Sequence, residues 1–142
     1  MSPEQIRLVR ESFAHVAPVA DQTAALFYAK LFARDPAIGD LFLSVDMAVQ
    51  GRKLLNMIGD AVRLLNHPKR LEPVLRALGK RHAGYGVLDA HYDAVGAALL
   101  ETLAHALSET FTLETREAWI AFYIHVAHTM RAGAADAQFA GH

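Results

Sequence analysis

Apolar residues recur every three or four positions along almost the whole chain, and no segment alternates convincingly at period two. That single feature confines the chain to an all-α fold. Ser2-Pro3-Glu4-Gln5 opens the first helix, with Ser2 as cap, Pro3 in the first turn and Gln5 closing a capping box. Its stripe is Ile6, Val9, Phe13 and Val16. Pro18 should break it, and Asp21 should cap a second helix with the stripe Ala24, Phe27, Tyr28, Leu31 and Phe32. Asp35-Pro36 ends that helix, because the residue before a proline is pushed out of the α region, and a short piece ends at Leu41-Phe42. Asp46 starts a longer helix carrying Val49, Gln50, Lys53, Leu54, Met57, Ile58, Val62 and Leu65, and His67-Pro68 interrupts it. Leu71, Val74, Leu75, Leu78 and His82 form the next stripe, closed by Gly84 and Gly86. Asp89 should cap a helix to Leu107, and Thr112 one to about Ala132. One folded domain over 1–132 is expected, followed by a small, polar tail over 133–142 that frays. About seven helices of unequal length suit a pocket fold with crossings near ~50° better than an up-down bundle, but periodicity leaves both open.

Composition removes several function classes. The 142 residues carry a formal net charge of -1, so there is no basic field for nucleic acid or an anionic membrane. No cysteine is present, which excludes disulfides, thiolate-ligated haem, iron–sulfur clusters and Cys-containing zinc sites. The N-terminus lacks the apolar run of a signal peptide, and no stretch approaches the ~20 residues of a membrane span, so a cytoplasmic location is expected. Nucleophile-elbow, phosphate-loop, dinucleotide and His-Glu-Xaa-Xaa-His motifs are missing.

Eight histidines raise a metal question. His82 shares an apolar face with Leu75 and Leu78. It reads either as a core histidine satisfied by a backbone carbonyl or as an axial ligand, one nitrogen on iron and the other held by a hydrogen bond. The small residues Ala83, Gly84 and Gly86 after it would let a flat cofactor approach. Gln50 and Leu54 share a face one turn apart, as in a gas pocket with one amide and one water-excluding wall. Gln50 also reads as a solvated residue, and Tyr28 as a core aromatic bonded to backbone. Lys53 would be bland on an exposed face but could reach a haem propionate. His125 and His128, at i and i+3, lack an acid at ligand spacing to complete a metal site.

Taken in order, the segments resemble the globin family, and more narrowly the flavohaemoglobin-like bacterial globins. Leu26-Phe27-Tyr28-Ala29-Lys30-Leu31-Phe32, Asp35-Pro36 and Leu41-Phe42 are similar to the second helix and the corner after it. Val49-Gln50 through Leu54-Leu55-Asn56 is similar to the distal helix. Leu78-Gly79-Lys80-Arg81-His82, Tyr92-Asp93-Ala94-Val95-Gly96 and Glu117-Ala118-Trp119 follow in family order.

The resemblance implies a globin fold, a three-over-three helical sandwich around one haem b, with His82 as proximal iron ligand. Phe42 would wedge the haem, Tyr28 and Gln50 would form the distal pair, and Lys53, Leu54, Leu78, Arg81, Val87 and Tyr92 would line the cofactor. It implies reversible binding of O2, NO and CO with high O2 affinity. If Tyr28 and Gln50 each donate a hydrogen bond of ~1–1.5 kcal/mol, their product is on the order of a hundredfold in affinity.

The enzymatic expectation is oxidation of NO to nitrate with electrons from a separate reductase, since the chain stops after the globin domain. The alternatives are O2 storage or delivery without turnover, and a gas-sensing interaction module. In flavohaemoglobins a tyrosine and a glutamate also hold the proximal histidine. Tyr92 matches the tyrosine, but Ala134 stands where the glutamate would be, with Asp136 the nearest acid.

Overall fold

The computed structural model describes the backbone of residues 1–140 and the side chains of residues 1–136. Seven helices appear in chain order: α1 (Pro3–Val16), α2 (Ala20–Arg34), α3 (Pro36–Gly39), α4 (Met47–Arg63), α5 (Pro68–Gly84), α6 (Asp89–Leu107) and α7 (Leu113–Ala140). Short 3-10 turns occupy Ala17–Val19, Asp40–Phe42, Leu64–Asn66 and Ser108–Thr110, and the described residues contain no strand.

Most helix starts follow local chemistry. Ser2 accepts from the Gln5 N–H while Gln5 accepts from the Ser2 N–H, a closed capping box. Asp35 caps α3, Asp46 caps α4, and Thr112 accepts from the Thr115 N–H at the start of α7. Two expected caps are corrected. The turn at Pro18 keeps helical backbone and feeds straight into α2, so Asp21 lies inside the first turn and caps nothing. Asp89 is the first residue of α6, and the free N–H of Leu88 is taken by the His91 imidazole instead. The last helix also runs past Ala132 to Ala140, because Gly133 is used for packing on α5 and not as a stop.

The helices form two layers, α1, α4 and α5 over α2, α6 and α7. α2 packs on α4 and α6, while α7 packs on α1 and, most extensively, on α5. This cross-layer packing decides against an up-down bundle. Trp119 is fully buried at the centre, and its indole N–H donates to Ser12 Oγ at 2.8 Å. No helix is long and apolar enough to cross a membrane among the described residues. One pair of neighbours stays apart: α4 and α5 scarcely touch beyond the turn that joins them.

Candidate functional site

His82 sits in the last turn of α5, half-buried. Its Nδ1 lies 2.9 Å from the Leu78 carbonyl, so Nδ1 carries the proton and donates, leaving the Nε2 lone pair free. Burial pushes the imidazole pKa below its ordinary value, and the Arg81 charge adds to this against the opposing Leu78 bond. The ring is therefore neutral near pH 7, the form that ligates metal. The two readings of His82 turn out to be compatible: one nitrogen satisfies a backbone carbonyl and the other remains available.

The seam between α5 and α7 sets the height of that histidine. A Cβ on Gly79 would lie 1.9 Å from the Met130 carbonyl oxygen, and one on Gly133 would lie 2.1 Å from that of Arg76. Two backbones therefore touch where any side chain would push them apart. Sequence reasoning passed over both glycines; their spacing on separate helices gave no local signal.

Tyr28 and Gln50 come together from α2 and α4. The Gln50 amide donates to the Tyr28 hydroxyl oxygen at 3.2 Å, which leaves the phenol proton for another acceptor. Tyr28 is buried, and desolvation raises its pKa against the lowering effect of that bond, so the proton stays in place. Phe42 closes the group: its ring stands 5.5 Å from both Tyr28 and Phe32, with Phe27 edge-on to Tyr28 at 5.0 Å.

Leu54 turns inward and, with Phe27 and Ile58, lines a small apolar void of about 20 Å³. Leu78 is buried, and Val87 is half-buried with its N–H donating to the His82 carbonyl at 3.1 Å. Lys53 and Arg81 are exposed and make no ion pair among the described residues. Leu41, Leu43, Val45 and Val49 are exposed, as are Tyr85 and Leu88 at the corner after α5. Gly86, at φ +88, brings that corner within reach of Leu41.

Tyr92 is buried, but its hydroxyl has no hydrogen-bond partner among the described residues and does not hold His82. The Arg131 guanidinium lies over its ring at 4.8 Å. Asp136 is bound to Arg76 at 2.5 Å, so its carboxylate is not spent on the histidine.

The family model described as "Globin" matches residues 25–130. The chain belongs to the globin family. This globin is 29% identical over 145 residues to "Anaerobic nitrite reductase NSHB5" of Oryza sativa subsp. indica, covering 92% of this chain and 93% of that one. It is 26% identical to "Flavohemoprotein" of Deinococcus radiodurans, covering 92% of this chain and 33% of that one's length. A solved structure, "hexacoordinated heme protein from anhydrobiotic tardigrade at pH 4", superposes with a TM-score of 0.85 at 14% identity, covering 94% and 95% of the two chains. At that identity the likeness concerns the fold.

The prosthetic group of globins is haem, and the residues of this globin fit one. A neutral imidazole with a free Nε2 stands on α5, a helix that leaves a gap to α4. Beside α4 stand the polar pair of Tyr28 and Gln50 and, 5.5 Å from Tyr28, the Phe42 ring.

Proposed function

We propose that the protein binds one haem b through His82 Nε2 and takes O2, NO or CO reversibly beside Tyr28 and Gln50. The observation that carries the reading is the Gln50 to Tyr28 hydrogen bond at 3.2 Å. Haem, when bound, supplies an iron centre for diatomic ligands. The chain's own residues do the selecting. Gln50 holds the phenol oxygen, so Tyr28 can donate its proton only to something else. A ligand that gains negative charge on binding is held by such a donor more than a neutral one, which favours O2 over CO. Phe27, Phe32 and Phe42 pack against the phenol and keep water from competing for that proton. Leu78 fixes the His82 tautomer through its carbonyl, a weaker acceptor than a carboxylate, so the imidazole stays a neutral ligand.

The test is the absorption spectrum of the dithionite-reduced protein with and without CO. A CO-dependent shift in the wild type, and loss of haem affinity in His82→Ala, are expected. A protein that takes up no haem would end the reading.

Kinship with the flavohaemoproteins favours a second reading, conversion of NO and O2 to nitrate with an external reductase. Rapid re-reduction of the ferric protein in cells would support it, and re-reduction slower than NO exposure would leave reversible binding alone.

A further inference from the structure

We propose that the contact between Gly51 of α4 and Ala24 of α2 is a positioning device. It sets the spacing of the two helices at which Gln50 reaches Tyr28, and through that bond the preference of the site for O2 over CO. The second half rests on the proposed role of Tyr28 as donor to the gas.

The contact lies next to the bond it governs. Gly51 directly follows Gln50 in α4, and Ala24 stands one turn before Tyr28 on the same face of α2. Both are buried, Ala24 at 2% exposure. A Cβ on Gly51 would lie 2.8 Å from the Ala24 Cβ. Neither atom could turn away, because a Cβ is fixed to its own backbone. Only movement of one helix relative to the other would relieve the overlap. Glycine is a poor helix former, and at 51 the closeness of α2 is what requires it.

The bond has no slack to absorb such a movement. Non-bonded carbon atoms rest about 3.5–4.0 Å apart, so a methyl group at position 51 would push the helices apart by roughly 0.7 Å or more. The Gln50 amide meets the Tyr28 hydroxyl at 3.2 Å, already at the long end of the hydrogen-bond range. A further increase of that size would end the bond. Gly59, two turns on in the same helix, differs, since a Cβ there would meet only the Phe13 ring of α1, 3.3 Å away.

The experiment follows hydrogen exchange of the Gln50 side-chain amide by NMR in the full chain, in its ferrous CO form, beside stopped-flow release of O2 and CO. Gly51→Ala should speed the amide exchange about fivefold and O2 release about two- to fivefold, with CO release unchanged. Adding Ala24→Gly should restore both, since it removes the atom that the new methyl meets. Gly59→Ala should alter neither. In a Gln50→Leu background, Gly51→Ala should add nothing to O2 release, which separates positioning from a general loosening of the fold. Wild-type exchange in Gly51→Ala, no restoration by Ala24→Gly, or a further rise in O2 release in the Gln50→Leu background would overturn the proposal. Should the single variant not fold, the Ala24→Gly/Gly51→Ala pair reads the same contact, and fast Gln50 exchange in it would overturn the proposal too. The amide is read equally well without haem. A protein that takes up none would end the gas reading, and the positioning role would then stand or fall on the exchange alone.

Discussion

The Gln50 amide donates to the Tyr28 oxygen, so the two polar groups on the α4 side are coupled in series. Removing the outer donor should cost the gas ligand its hydrogen bond, and removing the inner one should only loosen the phenol. Tyr28→Phe is therefore expected to speed O2 dissociation about tenfold, the worth of one hydrogen bond of ~1–1.5 kcal/mol, and Gln50→Leu less. Stopped-flow release reads both, and an unchanged rate in Tyr28→Phe would discard the donor role. A second residue-scale effect lies far from the site. Ser108 has φ 50 and ψ -124, a left-handed conformation that costs any residue with a Cβ. Ser108→Gly should stabilise the protein by about 1 kcal/mol in urea unfolding, and a loss of stability would mean the serine makes a compensating contact.

At the scale of elements, α5 carries His82 and α7 carries α5. The close approach at Gly79 and Gly133 leaves no room for a methyl group, whereas a Cβ on Gly84 would meet nothing within 4 Å. Gly133→Ala should therefore cost about 1–3 kcal/mol by overpacking. If His82 holds the haem as proposed, it should also speed haem transfer to an apoglobin acceptor, because the displaced helix moves His82 Nε2. Gly84→Ala serves as the control and should change neither. Equal behaviour of the two variants would remove the seam from the account of His82 positioning. Both glycines were visible as letters, but only their placement opposite the Met130 and Arg76 carbonyls gives them a function.

Across the whole molecule, stability at high pH should depend on the buried and half-buried phenols Tyr28 and Tyr123. Tyr123 donates to the Tyr92 carbonyl at 2.6 Å, and burial raises its pKa far above the ordinary 10.0, with Tyr28 raised in the same direction. Above pH 10 the unfolded chain releases protons that the folded chain keeps, so stability falls as pH rises through that window. Below the ordinary value both states are protonated and the contribution is fully present. Unfolding free energy should thus be flat up to about pH 10 and decline beyond it, with a shallower decline in Tyr123→Phe. Haem acts on the same equilibrium by mass action: a ligand that binds the folded state raises the melting temperature, and His82→Ala should lose that rise.

The sequence by itself determined the helical class, the starts at Ser2, Asp46 and Thr112, and the ordered segments around Tyr28, Gln50 and His82 that mark a globin. These are local properties, carried by neighbours three or four residues apart, and one dimension records them. Asp21 failed as a cap because the 3-10 turn over Ala17–Val19 runs straight into α2 and leaves Asp21 one residue inside the helix. The His82 bond to the Leu78 carbonyl lies within one helix turn, whereas tertiary structure alone decided that Gln50 donates to Tyr28. It also settled that Asp136 belongs to Arg76. Each of those depends on residues tens of positions apart meeting across a helix seam, and no pattern along one helix encodes such a meeting.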